Sequence, residues 1–447
     1  MDLDALFKLF GQQTPVCVMV QMLMRSLLAP GELDDRLNAA GGSRTYIRQL
    51  LPSTLVEVMS LVVTGKQRSL HAAHKAANVA ASVQALYSKL ARLDPEVGRE
   101  LVRTVAEKSL AILEHLHRWP PLLAGYRTFI IDGNHLGGTE HRIKETRTRR
   151  GAPLPGRSLV VYDADHRLVV DVFPVQDAYT SERTLFPRLC IQPGALYLAD
   201  RDFSTNPCVR NLIVGGACFL IRKHSNNLKL KEDAPGKVAG AEQGRKVSEQ
   251  AVLLDDEQAG AAGLARRLRL ITIHREKDAV VLVTNLPASV DAVTIAQLYR
   301  ERWKIELAFG ELTRFIGCEV KTLGYPQAAL FAFCVALTGY NLWTLVRGAI
   351  AREHGQETER ATSLHYLADE LSGTYRGMMV ALPEEWWMKY EVCALAELAA
   401  GLCELARAMP VERYRKSVRG PKKPVKRTGK PDSHFSTQRL LDKRGRG

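Results

Sequence analysis

The chain has 447 residues, 46% of them apolar and 25% charged, which is enough to bury a core and excludes a disordered or fibrous protein. Lys and Arg outnumber Asp and Glu by 62 to 48, a formal +14, which excludes an acidic, solvating chain and points to a polyanionic partner. Eight cysteines stand singly with no CxxC pair, and no secretory pattern opens the chain; they read as reduced cytosolic thiols.

Residues 1–125 read as a helical, DNA-binding N-terminal domain. The stretches 16–28, 53–63 and 69–93 carry apolar periodicity and close at Ala29-Pro30-Gly31, Gly65 and Asp94-Pro95; a further amphipathic stretch runs to His117. Ser82, Gln84, Ser88 and Lys89 on the third stretch suit a DNA-reading helix or an ordinary amphipathic one equally well. From Arg127 the texture changes. RTFIID (127–132), RSLVVYD (157–163) and RLVVDVFPV (167–175) predict three strands in meander order. A short helix over 181–189, the strand ALYLAD (195–200), a helix near 207–214 and the strand ACFLI (217–221) follow. The predicted class is α/β with a mixed sheet.

Residues 222–288 read as a β-rich insertion in which RRLRLITIH and AVVLVTNL pair, and 291–315 as one long helix with Asp291 and Ser289 offering N-cap chemistry. From Thr322 to Val346 no residue is charged, but Pro326, Gln327, Thr338, Gly339, Tyr340 and Asn341 favour a buried helix over a membrane span. The expected organisation is thus 1–125, a central domain at 126–320, C-terminal helices at 321–410 and a mobile tail at 411–447. That tail holds 13 Lys and Arg against 3 acids, so the other 410 residues carry 49 basic and 45 acidic side chains.

Three acids stand out by position. Asp132 ends the first predicted strand and Asp200 the fourth. In open α/β sheets, side chains at carboxyl ends of strands project into a crevice, so neighbouring strands would bring the two carboxylates together. Each alone also reads as a turn former. In YRERWKIELAFGELTRF (299–315), Tyr299, Arg302 and Glu306 share one face of a helix. A plain surface ladder gives the same spacing, but Trp303, Ile305, Leu307 and Phe309 supply more apolar bulk than a solvated face needs. Arg142, Lys144, Arg147, Arg149 and Arg150 crowd the connection between the first two strands, as a phosphate-tracking loop or as a solvated hairpin.

Asp132 within IDGNHL, Asp200 within ADRDF, then VLVTNLP and Glu306 inside Y-x2-R-x3-E form an ordered set with spacings of 68 and 106 residues. Over roughly 127–315 this set resembles the DDE transposases of bacterial insertion sequences, and among them the IS-four family with its Tyr-Arg-Glu-Lys signature. The resemblance implies a ribonuclease-H-like core whose Asp132, Asp200 and Glu306 are catalytic and hold two Mg²⁺ ions, with Mn²⁺ able to substitute. It implies that Tyr299 and Arg302 grip a DNA phosphate near the cleaved end. The substrates would be terminal inverted repeats and target DNA, joined by cut-and-paste transfer in the bacterial cytoplasm at the nucleoid. The active form would be a homodimer, with no membrane partner.

One position departs from the signature. The family's Lys falls at Thr313 here, so its DNA contact has either passed to Arg314 or been lost; the alternative is a weakened or domesticated transposase that only binds DNA. A carboxylate-pair glycosidase is a poorer rival, because 7% aromatic residues do not favour a sugar cleft and such an enzyme has no use for a basic tail.

Overall fold

The computed structural model describes residues 2–41, 50–224, 226–261, 263–264, 266–276, 278–417, 420 and 435–444. Most of the predicted basic tail, 418–419, 421–434 and 445–447, lies outside the described residues.

Among the described residues, seven helices precede the first strand: α1 Leu3–Gln13, α2 Pro15–Leu27, α3 Pro30–Gly41, α4 Pro52–Val63, α5 Leu70–Ala76, α6 Val83–Leu90 and α7 Pro95–His115. Four of them open on proline, which suits a first turn whose N–H groups have no helical partner. The stretch 69–93 is two helices, not one. Asn78 adopts φ +48°, and Ser82 starts a new helix by accepting a hydrogen bond from the Ala85 N–H at 3.2 Å. Lys89 turns inward to the Leu50 carbonyl, so it is not on the exposed face with Gln84 and Ser88.

The strands are β1 Thr128–His135, β2 Pro153–Leu154, β3 Arg157–Asp163, β4 Leu168–Val175, β5 Leu196–Ala199, β6 Cys218–Arg222, β7 Leu230–Glu232, β8 Lys237–Glu242, β9 Arg245–Leu254, β10 Arg267–His274, β11 Ala279–Thr284 and β12 Phe435–Ser436. Ten form one mixed sheet in the order β4-β3-β1-β5-β6-β11-β10-β9-β7, with β8 also on β9. The pairs β1–β5 and β5–β6 are parallel and the rest antiparallel. The β-rich stretch after β6 therefore continues the central sheet, through β11 on β6.

Alternation along β1 sorts its side chains between two cores. Ile130 joins Val160 and Tyr162 under the helices, while Phe129 and Ile131 join Leu159, Phe186 and Val209 on the other face. Val209 belongs to α8 Asn206–Val214; α9 Glu257–Ala261 lies within the β-rich stretch.

The helix expected over 291–315 is interrupted. Asp291 caps α10 Ala292–Arg300 by accepting from the Val293 and Thr294 N–H groups. At Glu301 and Arg302 the bonds tighten to three-residue spacing, Arg302 N–H to the Tyr299 carbonyl and Lys304 N–H to the Glu301 carbonyl, before α11 Trp303–Phe315 begins. Beyond lie α12 Pro326–Ala361, α13 Leu364–Ala381, α14 Glu384–Trp387, α15 Leu395–Ala408 and α16 Thr437–Arg444. By length and composition α12 could cross a membrane, but 94% of its most apolar window is buried inside the fold. It packs on α7 and β4, with a break at Gly355, whose φ is +83°.

Candidate active site

The parallel register decides where the two aspartates go. Ile131 pairs with Ala199, the last pair of the β1–β5 ladder, so the next residues, Asp132 and Asp200, leave adjacent strands side by side. Asp132 does not end its strand as expected, because β1 runs on to His135 against β3. Asp200 does end β5, and it also serves as the turn former: its carboxylate accepts the Asp202 N–H at 2.8 Å and caps the short turn Arg201–Phe203.

The broken helix supplies the third acid. Arg302, at the break, donates to Asp132 Oδ2 at 3.1 Å and to Glu306 Oε1 at 2.6 Å, tying the β1 carboxylate to the first turn of α11. This guanidinium is 12% exposed, and its Nε is buried without a partner. Tyr299, half-buried at the end of α10, completes the group. Around Glu306 the apolar side chains divide: Ile305 is buried, whereas Trp303 and Leu307 are 60% and 66% exposed beside the site.

The electrostatics follow from crowding. Burial pushes the Asp132 carboxyl up to about 6; Asp200 and Glu306 add to the rise, while Arg302 and the Gly133 N–H oppose it. Asp200 is raised as well, first by burial and then by Asp202, against the Asp202 N–H and Arg302. Burial pushes the Tyr299 hydroxyl up to about 12, against Arg302. Arg302 itself is held above its ordinary value, because Tyr299, Asp132 and Glu306 outweigh its own burial.

Two partners of this edge escaped the sequence reading. Arg157 opens β3 opposite His135, pairs with Glu182 and donates to the Thr180 carbonyl at 3.2 Å. The Glu182 carboxyl sits against Gly133, where a methyl group would fall 1.8 Å from its carbon, so the residue after Asp132 has room for no side chain. The usable signals were an arginine opening the strand antiparallel to the aspartate strand, and the glycine after the aspartate.

The other expected residues lie apart. Arg314 is exposed in the last turn of α11, and the Thr313 hydroxyl is spent on the Phe309 carbonyl at 2.9 Å. Lys144, Arg147, Arg149 and Arg150 are exposed on the connection between β1 and β3; Arg142 is half-buried, with Nη1 unpartnered. Among the described residues, Arg314, Lys144, Arg147 and Arg149 form no ion pair with the three acids.

The carboxylate oxygens of Asp132, Asp200 and Glu306 are the hard donors a divalent ion takes, and such an ion would relieve their mutual repulsion. Arg302 meanwhile occupies Asp132 and Glu306, and no three His, Cys, Asp or Glu side chains among the described residues converge on a common ion position. The donor chemistry fits, while Arg302 holds two of the three acids.

Residues 123–342 match the family described as Transposase DDE domain. The matched residues include Asp132, Asp200 and Glu306. Over 243 residues the chain is 26% identical to the putative transposase InsL for insertion sequence element IS186A of Escherichia coli (strain K12) and to the transposase for insertion sequence element IS421 of Escherichia coli. That span is 46% of this chain and 62% of each relative. The putative transposase y4zB of Sinorhizobium fredii is 30% identical over 152 residues, 34% of this chain and 42% of its own length. The cryo-EM structure of the piggyBac transposase synaptic complex with hairpin DNA aligns with 88% of this chain and 82% of its own. At a TM-score of 0.36 and 13% identity, that likeness is too slight to carry an argument.

Proposed function

We propose that the chain is a DNA transposase of the IS-four type that cleaves insertion-sequence ends and joins the freed 3′-OH to target DNA. The observation that carries this is the β1–β5 register, which sets Asp132 beside Asp200 within the DDE segment, with Glu306 linked to Asp132 through Arg302. A three-strand meander followed by two parallel strands supports a ribonuclease-H-like reading of the core.

Asp132, Asp200 and Glu306 would hold two Mg²⁺ ions, or Mn²⁺, which stabilise charge on the attacking and leaving oxygens of an in-line displacement. The chain's own residues do the rest. Arg302, once released from the carboxylates, is a planar, always-charged donor suited to a phosphate at the cleaved end, and Tyr299 stays protonated beside it. Arg157 and Glu182 brace the strand edge from below. The connection bearing Arg142, Lys144, Arg147, Arg149 and Arg150, with Arg314 on α11, would follow the backbone of the terminal repeats and target, in a homodimer that pairs two ends.

The wild-type chain, given Mg²⁺ or Mn²⁺ and DNA carrying the inverted repeats that flank its gene, should nick at the repeat end. EDTA should stop the reaction, and Asp132→Ala or Glu306→Ala should lower it at least about a hundredfold. Equal nicking by those variants would refute the assignment. A second reading, a DNA-binding protein without catalysis, is favoured by one observation: Thr313 offers no cation and its hydroxyl is bonded within α11. Binding of the repeats with no nick by the wild type would establish it.

A further inference from the structure

The sequence marks 411–447 as a mobile tail, yet residues 435–444 of it are built into the fold. β12 pairs in parallel with β2, Phe435 beside Pro153 and Ser436 beside Leu154, and α16 packs on the short turn Lys144–Thr146. Among the described residues, three side-chain contacts tie this segment to the connection and to Asp177. Arg444 pairs with Glu145, Arg439 Nε donates to Asp177 Oδ2 at 2.6 Å, and the Ser436 hydroxyl donates to Asp177 Oδ1 at 2.6 Å. The Arg439 guanidinium also lies 5.1 Å from the centre of the Tyr179 ring.

The two acids it takes are not arbitrary. Glu145 is the only acid in the run 142–150, which otherwise carries five Arg and Lys. Asp177 begins the segment whose next residues reach the candidate site: the Ala178 carbonyl meets His135, three residues past Asp132, and the Thr180 carbonyl receives Arg157. With Arg444 on Glu145, the exposed Lys144, Arg147 and Arg149 have no carboxylate partner among the described residues, and Lys443 of α16 adds a fourth exposed cation.

We infer that residues 435–444 complete a duplex-DNA-binding face on the connection between β1 and β3, by fixing that connection and cancelling Glu145 and Asp177. The inference rests on the proposed DNA-binding function and adds a task for the C-terminal end. A cation that neutralises an acid at the rim of such a face removes repulsion of phosphate as well as adding attraction.

The test uses a mixed-sequence duplex, fluorescence anisotropy over a range of salt, and thermal unfolding to check that each variant folds. The chain without residues 435–447, and the full-length Arg439→Gln/Arg444→Gln variant, should both bind more weakly. Both should also show a flatter dependence of log K on log salt, by about 0.9 for each DNA phosphate that is no longer neutralised. Adding Glu145→Gln and Asp177→Asn should restore most of the binding in the Arg439→Gln/Arg444→Gln variant, whose face then regains its net charge. No recovery on neutralising the two acids, or binding that is unchanged or tighter without the segment, would overturn the inference. If Arg147→Ala/Arg149→Ala in the full chain leaves binding intact, the DNA reading of the connection fails too; if that variant weakens binding while loss of the segment does not, only the role of the segment falls.

Discussion

Asp132 is the residue on which site and stability meet. In the folded chain its carboxyl holds a proton up to about 6, against an ordinary 3.8, so between those values the folded state binds more protons than the unfolded one. Stability from this group is therefore present at acid pH and is lost as pH rises through 6. The sign is the reverse of a salt-bridged carboxylate with a depressed value. For EDTA-treated protein, denaturant unfolding should show Asp132→Asn close to wild type near pH 4 and more stable by about 2–3 kcal/mol at pH 7. No such divergence would mean that Arg302 fully compensates the buried charge. Arg302 argues against complete compensation, since one guanidinium serves Asp132 and Glu306 together and Asp200 has no share of it by hydrogen bond.

At the scale of elements, the uncharged first part of α12 serves the core through a polar side chain. Asn341, fully buried midway along it, accepts from the Val169 N–H and donates to the Val169 carbonyl, both at 2.8 Å. β4 is the outermost strand beside β3, and this one side chain satisfies a backbone donor and acceptor that have no neighbouring strand. Asn341→Leu, similar in volume, would leave both groups buried and unpaired. The expected loss in denaturant unfolding is about 2–5 kcal/mol. A loss no larger than that of an ordinary surface substitution would show that β4 finds other partners. The break between α10 and α11 belongs to the same scale: an unbroken helix would carry Arg302 and Glu306 on one rigid face, whereas the tightened turn lets Arg302 reach a strand and its own helix at once.

For the whole molecule, the charge is unevenly placed. The final 37 residues hold 13 basic and 3 acidic side chains, while the remainder is nearly balanced. Binding to mixed-sequence duplex should accordingly weaken steeply as salt rises. Removing the 13 basic side chains of the tail should flatten that salt dependence far more than Asp132→Ala, which changes a single charge. A variant that lost affinity together with nicking would show that chemistry and binding share one surface.

The amino-acid sequence alone determined the α/β class, the strand-like runs before Asp132 and Asp200, the capped start at Asp291 and the buried nature of the uncharged stretch. Each is a local property, set by β-branched runs, a short polar cap, or polar residues spaced through an apolar segment. It also made the ordered set of three acids legible, because those motifs are contiguous in the chain. The register did not follow from sequence: that Ile131 meets Ala199 depends on which strands neighbour and in what direction, a choice made by long-range pairing. Nor did Arg157 and Glu182, which meet beneath Gly133 only because β3 returns antiparallel to β1. The same holds for the chain's end. Composition marked 411–447 as a solvated tail, and only the folded chain presents β2, Glu145 and Asp177 together as a dock for residues 435–444.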